Sequence, residues 1–129
     1  MNTTQSINAE QAIEALYATG HWLLGAERFK DAADVFRAMA TAAPEDERAW
    51  LGLGQAHQGA EQRIIAKEMY LTGVTLAHGG RCAIALARVL REMGNDADAA
   101  EAIDFADAIA RDHDDDMLSA LVTYERGAS

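Results

Sequence analysis

Two stretches of this chain, 34 residues apart, carry the same residue types at matching places, and that self-similarity limits the fold more than any bulk property. Trp50, Leu53 and Gly54 are followed by His57, then by Ala66 and Tyr70 at the spacing A-x-x-x-Y. Thirty-four residues earlier stand Leu16 and Gly20, then Ala32 and Phe36, with Phe29 just ahead of Ala32 and Pro44 closing the unit. A third copy, offset by 33, runs through Leu86, Ala87 and Leu90 to Gly94, Ala99, Ile103 and Ala106. A period in this range means that each unit is one supersecondary element that cannot bury its apolar face alone, so the units must stack.

The pattern W-x-x-L-G-x-x-Y, then A-x-x-x-F, then P is that of the tetratricopeptide repeat, a pair of antiparallel helices. The two helices of a pair must approach closely enough for the ridges of one to enter the grooves of the other. Gly20 and Gly54 on the first helices, and Ala32, Ala66 and Ala99 on the second, are the expected points of close approach. A larger side chain there should cost roughly 1–3 kcal/mol. Trp50 is expected at the junction between hairpins, and Phe36, Leu53 and Tyr70 in the core. Turn chemistry at Gly25, Pro44, Gly59, 78–80 and 94–96 predicts helices near 8–24, 28–42, 46–59, 61–77, 80–93, 96–110 and 114–126. The expectation is an all-α fold of one domain over 9–126, with residues 1–8 flexible. Three hairpins, about 13–46, 47–79 and 80–112, form a right-handed superhelix, and a helix near 114–126 caps its open end.

Composition narrows the function. Eleven basic against twenty-one acidic residues give a formal charge of −10, which would repel nucleic acid over most of the surface. No window approaches a membrane-spanning length of apolar residues, and the first residues lack a basic region followed by an apolar run. Cys82 is the one cysteine, so neither an internal disulfide nor a cysteine-built zinc site can form, and a small apolar packing role is expected for it. His21, His57, His78 and His113 show no paired-ligand spacing. The aspartates of "DHDDD", 112–116, lack the glycine and distal glutamate of a calcium loop and read as a solvated helix start. No phosphate-binding or nucleophile motif occurs. No cofactor, no metal and no catalytic residue is expected.

A curved stack lines its concave side with first helices. Spacings of three, four and three place Tyr17, His21 and Leu24, with Glu14, on that side in unit one. Arg48, Leu51, Gln55 and Gln58 follow in unit two, and Arg81, Ile84, Arg88 and Arg91 in unit three. Such a mixture suits an extended peptide whose apolar side chains are anchored while glutamine and arginine bond its backbone or acids. The four arginines have two readings: they receive a partner's carboxylates, or they pair with acids of this chain such as Glu47 and Glu92. On the first, charge reversal at Arg88 should weaken partner binding and leave the melting temperature nearly unchanged.

The segment from Leu16 to Gln58, above all "FRAMATAAPEDERAWLGLGQAHQ", followed by "YLTGVTLA" and "ALARVLREMGNDADAAEAIDFA", resembles the tetratricopeptide chaperones of bacterial type III secretion. The likeness spans about residues 10 to 111. It implies a chaperone of the bacterial cytoplasm without enzymatic activity, which holds an extended segment of a hydrophobic translocator protein in its groove. It also implies that Tyr17, His21, Leu24, Phe29, Leu51 and Ile84 lie at or beside the peptide-binding surface, with His21 standing where the family often has an aromatic. Nucleic acid and membrane are not expected partners; a homodimer is compatible. About a dozen residues precede the first repeat, fewer than the family's dimerisation region, which leaves dimer geometry open. A co-chaperone for the needle subunit or another secretion component, and a generic protein-interaction scaffold, are the alternative functions.

Overall fold

A computed structural model describes residues 8–127, and its seven helices follow the repeat. They are α1 (Ala9–Gly25), α2 (Phe29–Ala42), α3 (Glu47–Gly59), α4 (Arg63–Ala77), α5 (Gly80–Glu92), α6 (Asp96–Asp112) and α7 (Asp116–Gly127). Helices α1–α2, α3–α4 and α5–α6 are the three hairpins, and α7 packs onto the last of them. Residues 1–7 of the expected flexible start lie outside the described residues. Asn8 is the N-cap of α1: its side chain accepts from Gln11 N at 2.8 Å while its N–H donates to Gln11 Oε1 at 3.2 Å.

Rings seated on glycines set the distance between helices. The Phe36 ring lies against Gly20 of its own hairpin and Gly52 of the next, and a Cβ on either glycine would overlap it. Tyr70 fills the same place against Gly54, and Phe29 lies over Gly59. At Gly73 an added Cβ would fall 2.8 Å from the Cβ of Trp50 and close to Cys82 Sγ. Trp50 also donates its indole N–H to Pro44 O, 2.8 Å away in the linker between units, and packs against the core of the first hairpin. Cys82 is buried there, and burial pushes its thiol pKa upward.

The hairpin turns solve one geometric problem with different residues. Helices α1 and α3 end on Gly25 and Gly59 as their last helical residues, and the left-handed residues are not these glycines but Glu27 (φ 59°) and Glu61 (φ 61°). In the third hairpin that place belongs to Gly94 (φ 80°), and Asp114 (φ 50°) repeats it before α7. The joint between hairpins two and three uses His78 (φ 50°).

Helices α1, α3, α5 and α7 form a row in which each touches the next. Among the described residues, the backbones of α2 and α4, and of α4 and α6, make no close approach. Close packing of one row and splaying of the other curve the slab into a superhelix, with the odd-numbered helices on its inner side.

Gly54→Val should drive the Tyr70 ring from its seat and lower unfolding free energy in urea by about 1–3 kcal/mol. Glu61→Gly should raise it by about 1 kcal/mol, because glycine adopts the left-handed conformation without the side-chain clash. In native protein Cys82 should resist a thiol reagent, with labelling following the urea unfolding curve.

Candidate functional site

The inner face is a ladder of four rungs, since the repeat brings equivalent residues of α1, α3, α5 and α7 side by side. From the helix starts to their ends the rows are Glu14, Arg48, Arg81, Asp115; then Tyr17, Leu51, Ile84, Leu118; then His21, Gln55, Arg88, Val122; and finally Leu24, Gln58, Arg91, Glu125. The ladder is open in its first half and closed in its second.

In the open half, Tyr17 is half-buried and held on three sides. His21 stacks on it with ring centroids 5.9 Å apart, Phe36 meets it edge-on at 6.5 Å, and the Arg48 guanidinium sits 4.6 Å over the ring. Arg48 is fixed in turn by Glu14 (3.0 and 2.6 Å) and by Asp46 (2.8 Å). Asp46 also accepts from Arg48 N, capping α3. These bonds hold the carboxyls of Glu14 and Asp46 below the usual carboxylate range. Leu24 and Leu51 are half-buried beside them, and His21 and Gln55 are exposed. No hydrogen bond within the described residues engages the Gln55 side chain. Gln58 is committed: its Oε1 accepts the hydroxyl of buried Tyr70. Trp22, beside His21 and 65% exposed, went unnoticed in the sequence because the repeat pattern assigns it no place.

In the closed half, α7 occupies the face. Contrary to its expected place in the groove, Ile84 is 3% exposed, in one core cluster with Leu118 and Val122. Its spacing places it on the inner side of α5, but the next helix in the row covers it. The Glu125 carboxylate, on a residue 2% exposed, accepts from Arg88 Nε at 2.9 Å and Arg91 Nη1 at 2.9 Å. Arg91 donates further to Glu125 O at 2.7 Å. Arg81 grips Asp115 at 2.9 and 3.2 Å, and Asp115 caps α7 through Leu118 N at 3.0 Å. The Arg81 bond is the first cause that keeps the Asp115 carboxyl below its ordinary range.

All four inner arginines are therefore paired within the chain. The acids are Glu14, Asp46, Asp115 and Glu125, not Glu92, while Glu47 accepts from Arg81 N and Cys82 N at the start of α5, 3.0 Å each. A signal existed in the sequence: Glu14 and Arg48, Arg81 and Asp115, and Arg91 and Glu125 are each 34 residues apart, one repeat. Phe29 stands at the start of α2 with its ring over Gly59 at the end of α3.

The chain matches no family model, and no curated protein matches it. Solved structures do. The type III secretion translocator chaperone SycD of Yersinia enterocolitica superposes with a TM-score of 0.77 at 22% identity, over 94% of this chain and 92% of that one. PcrH, a Pseudomonas aeruginosa protein, in complex with the chaperone binding region of PopB gives 0.76 at 26% identity, over 89% and 92%. SycD in complex with a peptide of the translocator YopD gives 0.68 at 22%, over 95% of each chain. The fold of this chain is that of the tetratricopeptide-type translocator chaperones.

Because Arg88 braces a buried carboxylate, charge reversal there should destabilise the fold, as the second of the two readings of the arginines requires. Removing both partners, Arg88→Ala with Arg91→Ala, leaves Glu125 buried and uncompensated and should cost about 3–5 kcal/mol. Glu125→Gln should cost less, since both guanidiniums reach water. The depressed carboxyls of Glu14, Asp46 and Asp115 contribute stability that is complete above their unfolded pKa values and lost as pH falls through the folded ones. Stability should accordingly decline below about pH 5, with the decline shallower in high salt.

Proposed function

We propose that this chain is a chaperone of a type III secretion system that binds an extended segment of a hydrophobic translocator on its open inner face and keeps the translocator soluble for export. The observation that supports this most is the likeness to PcrH bound to the chaperone binding region of PopB, which extends over nearly the whole of both chains. The local physics agrees. Tyr17, Leu24 and Leu51 offer apolar surface that is neither fully buried nor scattered. Beside them, exposed Gln55 and His21 supply hydrogen-bonding groups for a peptide backbone. Tyr17 is held by Arg48 and His21 before any ligand arrives, so little ordering is left to do on binding. The binding residues proposed are Tyr17, His21, Leu24, Leu51 and Gln55. Arg48 acts as a positioning residue, and Arg81, Arg88, Arg91 and Gln58 serve the frame.

Among the described residues no helix is long and apolar enough to cross a membrane. An acidic surface, at −10 formal charge, keeps a carrier of apolar cargo soluble. Action in the bacterial cytoplasm without enzymatic turnover belongs to this same reading.

Co-expression with the hydrophobic translocator of its own secretion system should convert that translocator from an insoluble product to a soluble complex. His21→Asp with Gln55→Ala, both at exposed positions, should reduce the soluble yield several-fold while shifting unfolding free energy by no more than about 1.5 kcal/mol, the loss of the His21–Tyr17 stack. A translocator that is soluble and monomeric without this chain would count against the proposal.

A further inference from the structure

The outer side of the slab carries a second apolar recess that the inner-face reading does not use. Helices α4 and α6 stand apart, and the α5 surface shows between them. The recess has a volume of about 370 Å³. Leu86 and Leu90 form its floor, Leu71 and Val74 one wall, and Ala102 and Phe105 the other. Along α4 the spacing of Ile64, Lys67, Leu71 and Val74 puts all four on one face, so the recess continues into exposed Ile64 (57%) and Leu71 (44%). An apolar strip of this length, on a helix whose backbone its outer-row neighbours do not approach closely, calls for a partner.

The rims show what charge that partner carries. On the α6 side they are Asp98 and Glu101. Farther along the same helix Asp104 and Asp107 hold Arg126, at 2.9 and 3.2 Å, but among the described residues neither Asp98 nor Glu101 is in an ion pair. On the α4 side Lys67 is drawn towards Glu68, 3.9 Å away. The recess thus joins an apolar floor to one uncompensated acidic edge. A helix suits it better than an extended strand, since a helix satisfies its own backbone while lying against hydrocarbon.

We infer that this recess docks an amphipathic helix of the cargo, with aliphatic residues at i, i+3 or i+4 and i+7 turned inward and lysine or arginine along the flank that meets Asp98 and Glu101. The inference rests on the proposed function and extends it: one cargo molecule would be held at two places, an extended segment on the inner face and a helix on the outer. Two linked contacts raise affinity through effective concentration, so loss of one should cost at least about tenfold.

The test uses purified chain and full-length translocator. Ile64→Asp with Leu71→Asp, and separately Asp98→Lys with Glu101→Lys, alter exposed positions, and an unchanged urea midpoint for each pair establishes that the fold is intact. Each pair should weaken binding of full-length translocator at least about tenfold. A synthetic peptide of the translocator's extended chaperone-binding segment should bind wild type and both pairs alike. Full-length translocator bound equally by wild type and both pairs would overturn the outer site and leave the inner-face function standing. Failure of wild type to bind either translocator or peptide would overturn both. Should the substitutions instead change the sedimentation of the chain by itself, the recess joins two copies and the inference is wrong.

Discussion

The seating of aromatic rings on glycines is the contact from which the rest of this structure follows. Phe36 can lie between Gly20 and Gly52, and Tyr70 on Gly54, only because no Cβ stands in the way. That closeness draws the odd-numbered helices into one continuous row, while the even-numbered helices splay on the far side. Curvature, an inner face and an outer recess are consequences of this single asymmetry. The glycines destabilise their helices individually, by roughly 1 kcal/mol each relative to alanine, and the buried rings offset that cost.

Charge plays a different part from the one its pattern suggests. A stripe of arginine in an acidic chain invites the idea of an acidic ligand. Each arginine is instead bonded to a carboxylate of the preceding or following unit, or of its own helix start. Arg48 with Glu14, Arg81 with Asp115 and Arg91 with Glu125 act as cross-ties between successive helices of the row. Their consequence for function is indirect. Arg48 locks Tyr17 for use, while Arg88 and Arg91 draw α7 over the third unit and shorten the open face to the first two. What is left for a ligand is a short, mostly uncharged strip, better matched to apolar cargo than to an acidic one.

Much of this was legible in the sequence. The repeat fixed helix order and, within a few residues, every helix boundary, because glycine, proline and the apolar period all report on local geometry. Gly54, Gly20, Ala32 and Ala66 were identified as close contacts for the same reason. Ile84 was misplaced since its own helix cannot say whether another helix lies above it; Leu118 and Val122 decide that, and they are a full repeat away. Glu125 was missed because an acid near a helix end reads as solvated, and only its 34-residue spacing from Arg91 hints otherwise. Trp22 obeys no local rule, and the spacing along α4 that aligns Leu71 with Val74 cannot say that the recess beside them stays open: both follow from what the neighbouring helices leave uncovered.

The central claim is that cargo lies across α1 and α3 on the inner face. A photo-crosslinking residue placed at Gln55, and in a second protein at Thr41 on α2, tests it in the co-purified complex. The account predicts efficient crosslinking to translocator from position 55, at one defined stretch of its sequence, and none above background from position 41. Equal crosslinking from both positions, or none from position 55 in a complex that is otherwise intact, would contradict it.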